Sequence, residues 1–448
     1  MIDVLILNDN QFRDLFSQKL LEEYLNKKNL RVKIVSKIIY RTAIDYLNPQ
    51  LVVVPRITDD FEEIFKLKKK KNFKLFFIPC EHGAALETRI LSFIKSYSFK
   101  DVENKDYREN LKLIDKIFVP SEFYKITLIK HNLFNENQIS VSGTINSDLW
   151  FKNINLVFKK ENYKKTIGIA TSFKSFMFTS NYQSIQKAIY TINNFPKKGK
   201  ITFESQKEDL FFLLNEMYQF MVLSKIISDN KNLNFSIRVH PGENIKNINY
   251  FKKKISNVLI DRNLILQEWI SRQKIILAFS STLIFDSYFS NVPTYSLSKL
   301  VPNDIVDLLE EVKKPLNTDF LHQPENFKDL YEKINSKDEQ YNKSYLESLD
   351  AQINSISIRN FNFPRKEVAF KLIGDEISNL INFRNRSIFQ EFLLFFSTLI
   401  IHLKQIKAAN LLFKYKFVVS DKVFNPLNIL ENRKIKKIVK LIIKKLKD

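Results

Sequence analysis

The sequence predicts an α/β protein with two mainly parallel β-sheets and a helical C-terminal region. Short apolar runs alternate with longer amphipathic segments, which is typical of βα units. The predicted strands of the first part are residues 4–7, 32–35, 51–54, 75–78, 117–119 and 139–141. After a charged, irregular stretch the pattern resumes at residues 167–170, 235–239, 258–260, 275–279 and 294–297. The interruption divides the strands between two sheets.

Chain length and this interruption predict the domain organisation. At 448 residues the chain is long enough for two domains that each bury a core. Beyond about Pro302 the strand pattern stops and the sequence becomes largely helical. We expect an N-terminal domain of residues 1–155, a second domain of residues 156–305, a helical region of residues 306–430 that packs on and links the two domains, and a tail helix of residues 431–448.

Composition indicates a folded protein of a reducing compartment. Hydrophobic residues make up 44% of the chain, which excludes wholesale disorder. The single cysteine, Cys80, excludes an intramolecular disulfide and any zinc site built on several thiolates. Residues 1–3 lead into the first apolar run without a basic leader, and the longest apolar stretch, 392–401, is too short to cross a bilayer. We therefore expect a cytoplasmic protein.

A formal net charge of +22 predicts an anionic partner. The tail at residues 431–448 is rich in lysine and arginine, and its apolar residues recur at helical spacing. Such a basic amphipathic helix can lie on an anionic membrane surface, or it can dock on the protein as a solvated C-terminal helix. A nucleic-acid partner is not expected, because no RNA-binding aromatic motif, zinc finger or Gly-rich arm accompanies the charge. The predicted location is peripheral, on the inner face of the cell membrane.

A hydroxyl-rich loop follows one run of the second predicted sheet. Ser280, Ser281 and Thr282 come directly after the run at residues 275–279, before a predicted helix that starts near Leu283. Open α/β sheets bind ligands at the carboxyl ends of their strands, and hydroxyls beside the free N–H groups of a helix start suit a phosphate. An ordinary N-cap would need only one of the three hydroxyls. The loop therefore predicts a phosphate site.

A second loop, His240-Pro241-Gly242-Glu243, closes the run at residues 235–239. His240 is held extended before a proline at a strand end and could donate to a phosphate oxygen. Gly242 permits the turn, and Glu243 could bind ribose hydroxyls or cap the next helix. Together the two loops predict a nucleotide-phosphate site in the second domain.

In the first predicted domain, Glu81, His82 and Gly83 follow the run at residues 75–78. Either Glu81 or His82 could remove a proton from an acceptor hydroxyl, and Gly83 would allow close approach to the backbone. Adjacent residues of an extended segment point to opposite sides, so only one of the two is expected to face the ligand. A helix-start acid beside an incidental histidine is the structural alternative.

Several common motifs are absent. The chain has no Gly-x-Gly-x-x-Gly, Gly-x-x-x-x-Gly-Lys-Ser/Thr, His-Glu-x-x-His or Gly-x-Ser-x-Gly, which argues against a dehydrogenase, a P-loop enzyme, a zincin and an α/β-hydrolase. The Asp-x-Asp pair that usually holds a nucleotide-sugar through a metal is also missing. We expect no metal and no cofactor other than a nucleotide-linked co-substrate.

Taken together, these motifs resemble those of metal-independent GT-B glycosyltransferases of bacterial surface-polysaccharide synthesis, especially the sialyltransferases and Kdo transferases that use CMP-sugars. Those enzymes share a His-Pro motif and a Ser-Ser or Ser-Thr motif that grip the CMP phosphate, matched here at residues 240–241 and 280–282. The acid-acid-Gly motif of the sialyltransferases, whose first acid is the base, is similar to residues 81–83, with a histidine in the middle place. The resemblance covers roughly residues 75–300.

The resemblance implies two Rossmann-like domains with parallel sheets that face a cleft, plus a helical C-terminal region. It also implies transfer of Kdo or a sialic-acid-like sugar from a CMP-activated donor to an oligosaccharide or lipid-linked acceptor, as in capsule or lipopolysaccharide synthesis. The second domain would hold the donor and the first the acceptor, with Glu81 or His82 as the base. Inversion and retention both stay open.

A second family is similar through the same motifs. Glycerophosphotransferases of teichoic-acid synthesis, which use CDP-glycerol, share both phosphate loops, a His-Gly pair matched at residues 82–83 and a Gly-x-x-x-x-Asp turn matched at residues 143–148. In that family the His before Gly is the base. Their usual Pro-Arg within the turn is replaced here by Ile145-Asn146.

A third hypothesis belongs to a different class: a non-catalytic nucleotide-sugar-binding scaffold of the same fold. Such a protein would keep the site at residues 280–282 and tolerate replacement of both Glu81 and His82.

Overall fold

The architecture is that of a computed structural model of the chain. It describes residues 2–55, 62–78, 105–158, 166–171, 203–240, 257–279, 281–301, 321–336, 339–381, 393–404, 407 and 429–446. The chain divides into two compact units. Unit 1 comprises Met1–Val157 and Asn354–Asp448, and unit 2 comprises Phe158–Ile353. Unit 1 is therefore built from both ends of the chain, and unit 2 from its middle.

Unit 1 contains a six-stranded parallel sheet. Its strands are β1 (Val4–Asn8), β2 (Val32–Ser36), β3 (Leu51–Val54), β4 (Lys74–Phe77), β5 (Lys116–Val119) and β6 (Ile139–Val141). Their spatial order is β2-β1-β3-β4-β5-β6. The order changes direction between β1 and β3, which makes that position a topological switch point.

Unit 2 contains a five-stranded parallel sheet. Its strands are β7 (Thr166–Ala170), β8 (Phe235–Arg238), β9 (Val258–Asp261), β10 (Gln273–Ala278) and β11 (Thr294–Ser296). The order β11-β10-β7-β8-β9 places the switch point between β7 and β10. Each run that the sequence predicts as a strand forms one, with ends that differ by up to about two residues. The predicted α/β class with parallel sheets is confirmed.

Helices connect and flank the strands. They are α1 (Gln11–Lys27), α2 (Tyr40–Leu47), α3 (Glu62–Lys71), α4 (Lys105–Lys112), α5 (Glu122–Lys130), α6 (Lys152–Asn155), α7 (Phe203–Asp229), α8 (Leu266–Ile270), α9 (Leu283–Phe289), α10 (Phe327–Asn335), α11 (Glu339–Phe361), α12 (Ala369–Leu380), α13 (393–404) and α14 (Ile429–Lys445). The chain passes from unit 2 back to unit 1 within α11. Among these described helices, none is long and apolar enough to cross a membrane.

Asparagine takes the backbone positions that glycine usually occupies. The whole chain contains only 6 glycines. In the described part of it, the non-glycine residues with positive φ are all asparagines: Asn29, Asn48, Asn72, Asn132, Asn291 and Asn362. Asparagine tolerates the left-handed conformation because its short polar side chain can bond locally. It therefore ends helices such as α2, where Asn48 is the C-cap.

The sheet of unit 1 is buried on both faces, as expected for parallel strands. Alternate strand residues, such as Leu5 and Leu7 of β1, belong to a core cluster that also contains side chains of α2, α3, α5 and α13. Val4 and Ile6, which point to the other face, are equally inaccessible. Continuous burial explains why these strands read as unbroken apolar runs.

The turn at residues 143–148 joins the N-terminal sheet to the helix α12. Asp148 is fully buried and accepts hydrogen bonds from the backbone N–H groups of Ala369 (2.6 Å) and Phe370 (2.9 Å). It also forms an ion pair with Arg365, which is itself almost inaccessible. Asp148 therefore caps the first turn of α12, a contact that stabilises the helix start.

The tail helix α14 docks on unit 1. Ile435, Val439, Ile442 and Ile443 are buried, and the helix packs against α1 and α6. Its lysines lie on the opposite, exposed side. Of the two arrangements expected from the sequence, the structure has the docked one. The buried apolar side chains of the tail are therefore covered by protein, and contact of the tail with a membrane surface stays a prediction.

Candidate functional site

Three neighbouring strands end together at the carboxyl edge of the second sheet. Ala278 of β10 is level with Ala170 of β7, which is level with Arg238 of β8. The Ser-Thr turn follows β10, and His240 follows β8. Two strand spacings, about 10 Å, separate the ends of β10 and β8. The described parts of the two predicted phosphate loops, Ser281-Thr282 and His240, therefore lie at one edge, on either side of the central strand, where open α/β sheets bind ligands.

Ser281 and Thr282 have different roles at the start of α9. The Ser281 hydroxyl accepts a hydrogen bond from the Leu283 N–H at 3.3 Å. Thr282 has helical φ and ψ angles and makes no side-chain capping bond. Its half-buried hydroxyl has no hydrogen bond to any described residue. Capping therefore occupies the Ser281 hydroxyl and not the Thr282 hydroxyl.

The end of β8 is held from both sides. The backbone N–H and the hydroxyl of Thr171 both donate to the Arg238 carbonyl, at 3.2 and 3.3 Å. The Arg238 guanidinium forms an ion pair with Asp261 of β9. His240 follows this braced strand end and is half-buried. In the sequence, Thr171 belongs to the run Ile169-Ala170-Thr171, which marks the strand and loop that open the second domain.

Buried polar contacts connect the strands and helices of unit 2 near this edge of the sheet. The Trp269 indole N–H donates to the Ser236 hydroxyl at 2.9 Å, and both side chains are buried. Gly168 lies below them: a Cβ there would come within 3.1 Å of the Trp269 ring. Asp286 of α9 accepts a hydrogen bond from Gln267 at 3.3 Å. These contacts give Trp269 and Asp286 structural roles beneath the predicted site.

The other predicted site residues lie outside the described residues. They are Glu81, His82, Gly83, Pro241, Gly242, Glu243 and Ser280. Their roles as base, acceptor-side or phosphate-binding residues stay predictions.

A charged cluster that sequence analysis missed lies at the switch point of the first sheet. Arg13 pairs with Asp9 at 2.8 Å and with Asp14 at 2.5 Å. Lys37 also pairs with Asp9, at 2.6 Å. Within this described cluster the two carboxylates balance the two cations. The signal in the sequence was the polar pair Asn8-Asp9 directly after the first apolar run.

Metal ligands do not converge in the part of the chain that the structure describes. No group of three or more His, Cys, Asp or Glu side chains there could hold a metal ion. At the carboxyl edge of the second sheet, the described side chains of the two predicted phosphate loops are the hydroxyls of Ser281 and Thr282 and the imidazole of His240.

No protein-family model matches the sequence, and no curated protein is significantly similar to it. Solved structures match the fold. A variant of the wall teichoic acid polymerase TagF superposes with a TM-score of 0.52 at 15% identity, covering 84% of this chain and 88% of that one. Unaltered TagF gives 0.51 at 16% identity with the same coverage. The UDP-GlcNAc 2-epimerase of Methanocaldococcus jannaschii gives 0.45 at 14% identity, covering 84% of this chain and 100% of that one.

The fold and the likeness to TagF define the class. The chain is a GT-B-like protein with two parallel-sheet Rossmann-like units and C-terminal helices. At this level of identity the likeness concerns the fold alone, so the activity has to be argued from the site.

Proposed function

We propose that the chain is a transferase whose donor is a cytidine nucleotide, held through its phosphates at the carboxyl edge of the second sheet. One observation carries the proposal. The Ser281-Thr282 turn and His240 flank the central strand at the switch point of that sheet. Hydroxyls and an imidazole at such an edge are suitable partners for phosphate oxygens.

The likeness to a wall teichoic acid polymerase favours CDP-glycerol as the donor. Of the two families that the motifs resemble, the glycerophosphotransferases are then the better supported. In that case His82, which precedes Gly83, is the base, and Glu81 is not required for proton transfer.

A CMP-sugar is the second candidate donor. The turn at residues 143–148 supports it, because Ile145-Asn146 stand where the glycerophosphotransferases usually have Pro-Arg. Ile145 is buried, and Asn146 begins the short 3-10 helix Asn146–Trp150. Neither residue supplies a cation to a second phosphate. Glu81 is the favoured base under this alternative.

Both candidates release CMP, so the same phosphate site serves either reaction. The base takes the proton of an acceptor hydroxyl as its oxygen attacks. With CDP-glycerol, a bond forms between that oxygen and the glycerol-bearing phosphorus, and the phosphoanhydride bond to CMP breaks. With a CMP-sugar, the oxygen bonds to the anomeric carbon and the bond to the CMP phosphate oxygen breaks. His240 and Thr282 stabilise the charge that accumulates on the departing CMP phosphate.

The proposed acceptor is an oligosaccharide or a lipid-linked glycan. A lipid-linked acceptor implies that the transfer takes place at the inner face of the cell membrane. The high positive charge of the chain fits such an anionic surface.

The test is CMP release by the full chain from CDP-glycerol and from CMP-sugars, with a lipid-linked acceptor fraction. His240→Ala and Thr282→Val should each lower the rate about 100-fold, because each removes a group that stabilises the leaving phosphate. His131→Ala and Ser228→Ala are matched controls, since both side chains are exposed and neither belongs to the two predicted phosphate loops. They should release CMP at the wild-type rate.

The outcomes separate the candidates. Release from CDP-glycerol alone supports phosphotransfer, and release from a CMP-sugar alone supports glycosyl transfer. Wild-type rates in both site variants would overturn the phosphate site. Tight nucleotide binding without turnover, unaffected by Glu81→Gln and His82→Gln, would identify a scaffold.

A further inference from the structure

A half-open cavity of about 700 Å³ lies in unit 1, and all of its lining residues belong to that unit. Its walls come from α1, the start of β2, α13 and α14. Neither the nucleotide site nor the predicted base uses these elements. The cavity is large enough for a phosphate-bearing headgroup with part of an apolar chain.

Positive charge dominates the cavity wall. The cationic side chains are Lys19, Arg31, Lys33, Arg433 and Lys436. Against them stand two carboxylates, Glu22 and Glu23, and Glu22 is already bonded to Lys19 at 2.5 Å. The five cations come from three segments, α1, the start of β2 and α14, so the fold gathers like charges at one place. Such a gathering costs free energy unless an anion binds there.

The pKa of Lys33 reflects this repulsion. Burial lowers the pKa of Lys33, and the positive charges of Lys19 and Lys436 lower it further, whereas Glu22 raises it. A bound phosphate would act in the opposite direction and favour the charged ammonium.

An apolar stripe borders the cavity. Helix α13 buries Leu394 and Ile401 in the core of unit 1. Five of its other apolar side chains are exposed to the stated fractions: Leu393 48%, Phe395 65%, Phe396 43%, Leu399 45% and Leu403 58%. Phe395 also lines the cavity itself. Clustered large apolar residues beside basic ones are typical of a surface that enters the headgroup region of a bilayer.

We propose that this cavity binds the phosphate headgroup of an anionic phospholipid while the exposed stripe of α13 enters the bilayer. Charge complementarity selects the anionic headgroup, and the bordering phenylalanine and leucine side chains select a lipid over a free phosphate. They also select against nucleic acid, which offers no apolar phase. The lysines of α14 then contribute through their charge, since the apolar side of that helix is covered by α1.

The proposal is independent of the nucleotide site in unit 2. Loss of vesicle binding with nucleotide binding intact would implicate α13 and the cavity, and the reverse result would implicate the second sheet. The two proposals can therefore fail separately.

The experiment is cosedimentation of the full chain with vesicles of phosphatidylcholine, with and without phosphatidylglycerol. Phe395→Ser and Leu399→Ser should each weaken binding about tenfold, because each removes a large apolar group from the bilayer. Lys33→Gln and Lys436→Gln should each weaken it about fivefold, and added salt should weaken it further. Ile126→Ser and Lys112→Gln are controls at exposed positions outside the cavity. Melting temperatures verify that every variant is folded.

Binding only to the anionic vesicles, lost in the four site variants and kept in the two controls, supports the proposal. Absence of wild-type binding, or equal binding by all variants, overturns it. If glycerol phosphate competes fully and Phe395→Ser has no effect, the cavity is a site for soluble phosphates instead. If the chain binds DNA and not vesicles, the partner of the basic residues is nucleic acid.

Discussion

Arg365 lies so close to Gly143 that no side chain fits between them. A Cβ on Gly143 would be 2.6 Å from Arg365 Nη1, and Gly143 has a φ of +79°. The same guanidinium donates to the Ser147 hydroxyl at 3.0 Å and pairs with Asp148. The turn at residues 143–148 therefore has a structural role, which is to hold the returning C-terminal segment in unit 1.

Gly143→Ala should destabilise the protein by about 2–4 kcal/mol, because it combines a left-handed backbone with a steric conflict. The measurement is urea unfolding followed by circular dichroism. In an Arg365→Ala background the conflict disappears and only the backbone strain remains, so the same change should cost less. An equal cost in both backgrounds would mean that Arg365 does not restrict Gly143.

Arg365→Met should cost about 3–5 kcal/mol, because it leaves the buried Asp148 carboxylate without its cation. Asp148→Asn in the same chain removes that unpaired charge, so the double variant should be more stable than the sum of the single changes predicts. Lys112→Met breaks an exposed ion pair with Glu109 and should change stability by less than about 1 kcal/mol. Additive single effects at Arg365 and Asp148 would contradict the pairing.

The stability of unit 1 should depend on pH through Asp148. Burial raises the pKa of Asp148 to about 6, although Arg365 and the N–H groups of Ala369 and Phe370 lower it. The pKa in the unfolded chain is about 3.9. Between these values the folded protein binds a proton that the unfolded chain does not, so the contribution of this group is greatest at low pH and is lost as pH rises through 6. Relative to Asp148→Asn, the unfolding free energy of the wild type should fall by up to about 3 kcal/mol from pH 4 to pH 7. A difference that is constant or rises with pH would contradict this pKa.

The docked tail should contribute to stability. Ile442→Ala should cost about 2–4 kcal/mol, because Ile442 is fully buried on the inner side of α14. Leu441→Ala is the matched control, since Leu441 is 44% exposed on the same helix and should have an effect within about 0.5 kcal/mol. Similar small effects of both changes in urea unfolding would show that α14 does not dock.

The strands could be predicted because burial on both faces gives each one a continuous apolar run between polar loops. The same pattern placed the Ser-Thr turn and His240 at strand ends, because both stand directly after such runs, and their binding of phosphate stays a prediction. No local sequence pattern could reveal that Asp148 pairs with Arg365, which lies 217 residues away. Likewise, periodicity predicted an amphipathic tail, but the surface that covers its apolar side comes from α1, at the other end of the chain.

The central claim is that the second sheet binds cytidine nucleotides through phosphate. Thermal unfolding of the full chain with CMP, CDP, UDP or GDP, with and without magnesium, tests it most directly. We expect CMP and CDP alone to raise the melting temperature, without a need for magnesium, by the equivalent of about 2.7 kcal/mol at a hundredfold excess over Kd. The shift should vanish in the His240→Ala/Thr282→Val double variant and persist in Ser228→Ala. An unchanged melting temperature with every nucleotide, or an equal shift in the double variant, would contradict the claim.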